Sequence, residues 1–182
     1  MKIIKRELKF KGSIFEVWRE YYEFENVTIH RDIVAFPETC AVLPITEDGH
    51  AILITQYRAP VKREILEIPA GKIDPGETPE EAAIRELREE IKMETKRLIK
   101  IGSFYLSPGY STEKIHIYIG LDLSENALPH DFGEDIKIKK FPLSELEDKL
   151  KKGEIEDAKT AIAILYYIHL FSPGINNKNK SQ

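Results

Sequence analysis

Three glutamates that could bind a metal cation lie close together in the sequence. Glu86, Glu89 and Glu90 are three and four residues apart, so in a helix their carboxylates project from one face. The common interpretation of such a face is solvated surface, because like charges repel one another. The sharper interpretation is a hard-cation site, since Mg²⁺ takes one or two carboxylates and completes its shell with water and substrate phosphates. The surrounding sequence must decide between the two.

The residues around these glutamates predict the helix that positions them. Thr78 can cap a helix, Pro79 suits the first helical position, and Glu81 completes a capping box with Thr78. Apolar residues then recur every fourth position and predict a buried stripe opposite the glutamates. The members of the stripe are Ala83, Leu87 and Ile91.

Strand patterns precede this helix. Residues 14–36 are dense in β-branched and aromatic residues mixed with charges, which predicts two or three strands of a small N-terminal sheet. Two apolar runs flank Asp48-Gly49 and predict a hairpin, and a short strand ends at Pro69.

Further strands and two helices follow the helix that carries the glutamates. Residues 97–106 and 113–121 predict strands on either side of the loop 107–112, and residues 134–141 alternate like an edge strand. Ser144 with Glu147 predicts a second capping box and a short helix that Gly153 ends, and the last helix is expected to begin near Asp157. Strands on both sides of a central helix predict a mixed α/β class, with helices packed on a mainly mixed sheet.

Composition limits the possible functions. The chain has 182 residues and a formal charge of −4, which favours one large domain and disfavours a nucleic-acid-binding protein. Its single cysteine, Cys40, cannot form an internal disulfide and lies in a predicted core strand, where we expect it to pack. The N-terminus lacks a signal-peptide core, and the apolar stretch 161–171 is too short to span a membrane. We therefore expect a cytoplasmic protein.

A longer spacing pattern contains the three glutamates. From Gly71, five residues lead to Glu77 and seven more to Arg85-Glu86-Leu87, followed by Glu89-Glu90 and Met93. This pattern resembles the Nudix box, the signature of hydrolases that cleave nucleoside diphosphates linked to another group, and eight of its nine specified positions match. Lys92 stands where the family has Gly, at a helix end where a left-handed conformation is usually needed.

The resemblance implies a fold and a metal site. The fold would be a Nudix-type α/β/α sandwich (α+β) with a mixed sheet, plus a small N-terminal antiparallel sheet. Its parts would be an N-terminal segment at 1–38, a Nudix hydrolase domain at 39–172 and a disordered tail at 173–182. Glu86 and Glu90 would be the main metal ligands, with Glu89 nearby and the carbonyl of Ala70 as a further ligand. The cation would be Mg²⁺, with Mn²⁺ as a substitute. Arg85 would be structural and would orient a glutamate, with Glu77 anchoring the loop.

Other stretches resemble the ADP-ribose pyrophosphatase branch. In Ser107-Pro108-Gly109 the Pro lies 15 residues past the Nudix box, as in that branch. Residues 56–58, 67–71 and 153–160 are also similar to it. The branch implies that Arg58 contacts substrate phosphate, although a solvated loop arginine is the alternative. The implied substrate-binding residues are Arg31, Arg58, Glu67, Pro108, Gly109 and Glu113.

The branch also implies a catalytic base and a dimer. Glu134, in the loop 122–135, is the candidate general base, with Asp131 as its substitute. Glu113 would make a water contact or be a strand-edge charge. A homodimer would form through the N-terminal strands, where Arg31 matches a basic position. The aromatic residues available to stack on adenine are Phe15, Trp18, Tyr21 and Tyr22. The sequence does not favour one of them over the others.

The leading hypothesis is therefore Mg²⁺-dependent hydrolysis of ADP-ribose to AMP and ribose 5-phosphate by a metal-activated water. One alternative is a pyrophosphatase for another nucleoside diphosphate sugar, such as GDP-mannose. Another is a non-catalytic Nudix sensor that binds ADP-ribose. A structural protein is a further alternative, and it would show no metal-dependent stabilisation.

Overall fold

Ten strands and three helices form the part of the chain that the structure describes, residues 1–129 and 135–171 of a computed structural model. In chain order they are β1 (Lys2–Lys11), β2 (Glu16–Phe24), β3 (Val27–Ala35), β4 (Thr39–Pro44), β5 (His50–Arg58), β6 (Arg63–Glu67), β7 (Ala70–Lys72), α1 (Pro79–Glu90), β8 (Met93–Tyr105), β9 (Lys114–Glu125), β10 (Lys137–Pro142), α2 (Leu143–Lys151) and α3 (Ala158–Phe171). The mixed α/β class is confirmed. The predicted tail at 173–182 lies outside the described residues.

The chain divides into two compact units. The first contains Met1–Thr39 and Ser103–His116, and the second contains Cys40–Gly102 and Ile117–Gln182. In the first unit, β1, β2 and β3 form an antiparallel sheet in that order. The small N-terminal sheet is confirmed, but β1 was not among the predicted strands because charges interrupt its apolar residues.

The second unit contains most of two further sheets. One has the order β10-β5-β6, so β10 is the edge strand that its alternating pattern predicts. The other has the order β7-β4-β9-β8. The stripe of α1 packs beside Cys40 and Tyr118 in the core of this unit. Burial, followed by the charge of Glu86, raises the pKa of the Cys40 thiol to about 12, so Cys40 is a packing residue as expected.

The predicted hairpin at Asp48-Gly49 is only partly correct. A tight turn forms, in which the Gly49 amide donates to the Thr46 carbonyl (3.0 Å) and Gly49 has a φ of 76°. However, β4 and β5 belong to different sheets, and the pairing next to the turn is an isolated bridge between Ile45, just after β4, and Ala51 of β5. Asp-Gly encodes the reversal of the chain, whereas the sheet that each strand joins depends on distant partners.

The predicted capping box at Ser144 is wrong, because α2 begins at Leu143 after Pro142 and has no side-chain cap. The end of this helix is as predicted, with Gly153 at a φ of 71° and its amide donating to the Leu150 carbonyl (3.0 Å). The last helix also begins where expected, since the Asp157 carboxylate accepts from the Thr160 amide (2.9 Å). Among the described residues, no helix has the length and apolar character needed to cross a membrane.

Candidate metal and phosphate site

The helix α1 begins with the predicted capping box. The Thr78 hydroxyl accepts from the Glu81 amide (3.2 Å), and the Glu81 carboxylate accepts from the Thr78 amide (2.8 Å). Pro79 occupies the first helical position. These local bonds fix the start of the helix, and with it the rotation at which the later glutamates emerge.

Two of the three glutamates are buried, so a solvated acidic surface is the wrong interpretation. Glu86 is 8% exposed and Glu90 is 2% exposed. Both face β7, where the Ala70 amide donates to the Glu90 carboxylate (3.1 Å). A side chain at Gly71 would overlap the Glu86 carboxylate. Burying charged carboxylates is costly unless they are paired or bind a cation, which makes this face a candidate functional site.

Arg85 connects the carboxylates to the loop before the helix. Its Nε and Nη2 donate to Glu77 (3.0 Å each), and its Nη1 donates to Glu86 (2.7 Å) and Glu89 (2.9 Å). Nη2 also donates to the Lys72 carbonyl (2.8 Å). The hydrogen bond from Arg85 lowers the pKa of Glu77 below its usual value. Arg85 thus holds the loop, β7 and α1 together.

The donor set fits a hard cation. Within residues 1–129 and 135–171, no group of three or more His, Cys, Asp or Glu side chains is arranged to hold a metal ion. Glu86 and Glu90 instead form a pair one helical turn apart, beside the backbone of β7. Two carboxylates with room for water and phosphate oxygens are what Mg²⁺ takes from a protein, whereas zinc prefers a complete set of nitrogen or sulfur ligands.

A second charged group lies at the ends of β5 and β6. Arg58 donates from Nε (2.6 Å) and Nη2 (2.8 Å) to the two carboxylate oxygens of Glu67, and Lys159 of α3 also contacts this carboxylate. Burial raises the pKa of Glu67, but hydrogen bonds and charge from Arg58 and Lys159 outweigh burial and leave it below its usual value. Arg58 is therefore oriented by the two carboxylate oxygens of Glu67.

Sequence reasoning assigned no role to Lys159. In the sequence, the segment 157–160 is only similar to the ADP-ribose pyrophosphatase branch. In the structure, the side chain of Lys159 is 11% exposed and bridges Glu67 and Asp157 (2.9 Å). A lysine so close to the start of a helix, where positive charge is unfavourable, is the sequence signal that could have suggested a specific partner.

Comparison with known proteins identifies the family. A model of the NUDIX domain matches residues 36–163. The chain belongs to the Nudix family. An ADP-ribose pyrophosphatase from Bacillus subtilis is 40% identical to this Nudix chain over 169 residues, 91% of each protein. A methanol dehydrogenase activator from Bacillus methanolicus is 38% identical, again over 91% of each. The crystal structure of an ADP compounds hydrolase matches this chain with a TM-score of 0.83 and 28% identity, covering 92% of each chain.

The Nudix box departs from its pattern at Lys92, and the structure shows how the backbone adapts. Lys92 follows the end of α1 with a φ of 62°, the left-handed conformation expected there. Its ammonium donates to the carbonyls of Glu89 (2.7 Å) and Leu128 (2.5 Å). The helix therefore ends where the Nudix box requires, despite the missing Gly.

Four predicted substrate residues lie in the first unit. Arg31 is exposed on β3 opposite Glu20, and its Nη1 donates to the His30 carbonyl (3.0 Å). Pro108 and Gly109 are exposed, and Pro108 lines an open cleft of about 370 Å³ together with Tyr105 and Lys114. Glu113 is half-buried, and its amide donates to Ser111 Oγ (3.1 Å). The substrate contacts of these four residues remain predictions.

Within the second unit, the structure brings Ala70, Glu86 and Glu90 together and places Glu89 on Arg85. Arg58 and Glu67 form the pair described above, and the charge of Glu90 also acts on the Arg58 guanidinium. Glu134 and its substitute Asp131 lie outside the described residues, so the general base remains a prediction.

Proposed function

We propose that this Nudix chain hydrolyses the pyrophosphate bond of ADP-ribose and releases AMP and ribose 5-phosphate. The observation that carries the proposal is the buried Glu86 and Glu90 pair on α1, in a chain that is 40% identical to an ADP-ribose pyrophosphatase over 91% of its length. In this reaction the oxygen of a water molecule adds to one phosphorus, and the bridging oxygen leaves with the other.

The residues of the site have separate roles in the proposed reaction. Glu86 and Glu90 would hold Mg²⁺, with Glu89 and the Ala70 carbonyl as further ligands. A bound Mg²⁺ would polarise the phosphoryl oxygens and acidify the attacking water. Arg85 keeps Glu86 and Glu89 in place, and Arg58, oriented by Glu67, would bind a phosphate oxygen. Glu134 would accept the proton of the attacking water.

We further propose that the chain is a cytoplasmic homodimer that pairs through its N-terminal strands. Support for the dimer comes from the first unit, which exposes several large apolar side chains. They are Ile3, Ile4, Leu8, Phe10, Ile14, Phe15, Phe24 and Val27. Monomeric proteins rarely expose many such residues together, and Arg31 would join the site from this segment. A reduced, buried Cys40 is compatible with the cytoplasm.

The reaction can be tested with labelled water. Purified protein is incubated with ADP-ribose and Mg²⁺ in oxygen-18 water, and the products are identified by chromatography and mass spectrometry. We expect AMP and ribose 5-phosphate, with the label in the product whose phosphorus was attacked. If ADP-ribose binds but is not cleaved, the chain is a sensor. If it neither binds nor is cleaved, GDP-mannose and other nucleoside diphosphate sugars should be tried as substrates.

The metal site can be tested with Glu90→Gln. Gln keeps an oxygen that can accept from the Ala70 amide but removes the charge that a cation needs. Because a metal-bound water and polarised phosphate supply several kcal/mol of transition-state stabilisation, we expect turnover to fall about 100-fold or more. Glu147→Gln on α2, where Glu147 is an exposed partner of Lys151 (2.8 Å), should leave turnover unchanged. Full activity in Glu90→Gln would refute the assignment of this ligand.

The similarity to a methanol dehydrogenase activator supports a second candidate function, the activation of a dehydrogenase partner. The same three glutamates would then be needed for the activation. Adding the chain to a methanol dehydrogenase should raise the dehydrogenase rate in this case, and Glu90→Gln should abolish the increase. A rate that the chain does not change would exclude this function for that partner.

A further inference from the structure

The Lys92 side chain connects two segments that are distant in sequence. Its ammonium donates to the Glu89 carbonyl in the last turn of α1 (2.7 Å) and to the Leu128 carbonyl (2.5 Å). The backbone adds two more bonds, from the Asn126 amide to the Lys92 carbonyl (3.0 Å) and from the Leu128 amide to the Arg88 carbonyl (2.9 Å). The segment 126–128 is thus tied directly to the C-terminal end of α1.

The backbone at Lys92 has a conformation that Gly adopts most readily, and the Lys92 side chain adds bonds that Gly cannot make. A φ of 62° is unfavourable for any residue with a Cβ and is accepted readily only by Gly. A lysine here tolerates this strain, and the ammonium of its half-buried side chain provides a bond that Gly cannot make. The positive charge also lies at a helix C-terminus, where the carbonyl groups favour it.

We infer that Lys92 is a positioning residue, which locks the segment 126–128 onto the helical turn that carries Glu89 and Glu90. This inference rests on the proposed hydrolysis, since its consequence is a fixed geometry of those carboxylates during turnover. A Nudix chain with Gly at this position would have the same helix end without the bond from Lys92 to Leu128.

Three variants separate the effect of the Lys92 ammonium from the effect of the backbone conformation at Lys92. Lys92→Met keeps the length of the side chain but removes both donated bonds, and the φ of the residue remains unfavourable. Lys92→Gly removes the same bonds and relieves the backbone. Lys92→Arg keeps donors that can reach both carbonyls. The matched control is Lys62→Gly, because Lys62 has a similar φ of 57° and its exposed side chain lies in the turn between β5 and β6.

Amide hydrogen exchange measures how firmly the segment 126–128 is held on α1, and it does not depend on activity. In Lys92→Met and Lys92→Gly, we expect the amides of Asn126 and Leu128 to exchange about tenfold faster or more, because charge-assisted bonds are lost. Lys92→Arg should restore slow exchange, and Lys62→Gly should not change it. Unchanged exchange in both Lys92→Met and Lys92→Gly would overturn the inference.

Turnover distinguishes positioning from a purely structural role. With ADP-ribose, we expect kcat to fall about tenfold in both Lys92→Met and Lys92→Gly. We expect Lys92→Gly to melt at a higher temperature than Lys92→Met, because Gly relieves the backbone strain. A kcat that follows the melting temperature, or that does not change while exchange rises, would overturn the positioning role. If the wild-type chain does not cleave ADP-ribose, only the proposed hydrolysis fails. The exchange result still shows whether Lys92 holds the segment 126–128 on α1.

Discussion

Single residues control how closely β7 approaches α1, and Gly71 is the most sensitive of them. Because a Cβ at this position would overlap the Glu86 carboxylate, Gly71→Ala must displace Glu86 or the strand. Overpacking of this kind costs about 1–3 kcal/mol. We expect Gly71→Ala to lower the melting temperature and, by moving Glu86, to weaken activation by Mg²⁺. Thermal unfolding and a Mg²⁺ titration of turnover would measure the two effects.

The control for this substitution is Gly109→Ala, read by thermal unfolding alone. No atom lies within 4 Å of the Cβ that this change adds, so the melting temperature should stay within error of the wild type. A Gly71→Ala protein with the melting temperature and Mg²⁺ dependence of the wild type would mean that Glu86 has more room than the structure shows.

At the scale of elements, the carboxylate of Glu67 joins β5, β6 and α3 through Arg58 and Lys159. Removing the charge of this buried carboxylate takes one anionic partner from each of two cations, Arg58 and Lys159, although Lys159 keeps its pair with Asp157. We therefore expect Glu67→Gln to lower the free energy of unfolding by on the order of 3 kcal/mol at neutral pH. Glu64→Gln, on the same strand, breaks only an exposed pair with Lys137 and should cost less than about 1 kcal/mol.

The pH dependence of this difference has a defined sign. The pKa of Glu67 in the folded protein lies below its ordinary value of 4.5, so its stabilising contribution is complete above pH 4.5. The contribution is lost as pH falls through the folded pKa. Urea unfolding at a series of pH values should show the wild type and Glu67→Gln converging in acid. A constant difference, or one no larger than that of Glu64→Gln, would contradict the role of this cluster.

Local signals were the ones that sequence analysis interpreted correctly. The capping box of Thr78 and Glu81 needs only neighbouring residues, and it forms as predicted. Ser144 with Glu147 has the same capping-box spacing, but Pro142, with its fixed φ, starts the helix before Ser144 can cap it. The contact between Glu67 and Lys159 joins residues 92 positions apart, and only the fold brings them together.

For the candidate site, too, the sequence predicts local features but not contacts between distant residues. The Nudix box indicated which glutamates could bind a metal, because its spacing corresponds to one helical face. It did not indicate that Glu86 and Glu90 would be buried against β7, since burial depends on where that strand lies. The ion pair between Arg58 and Glu67 was also not predicted, because each residue taken alone suggests a solvated charge.

For the whole molecule, the proposed dimer makes the exposed apolar side chains of the first unit an interface. Wild-type protein should then have a solution mass of twice the 21.0 kDa of one chain. Because a lysine at the centre of an apolar interface would bury an unpaired charge, we expect Leu8→Lys and Val27→Lys to shift the protein towards the monomer. Leu165→Lys is the matched control, since Leu165 is similarly exposed on α3.

Light scattering after size-exclusion chromatography, repeated over a range of concentrations, would measure these masses. The control should keep the wild-type mass, while the two variants dissociate at concentrations where the wild type does not. A monomeric wild type would contradict the dimer itself. A dimer that survives both Leu8→Lys and Val27→Lys but dissociates in Leu165→Lys would place the interface on α3 and remove Arg31 from the proposed site.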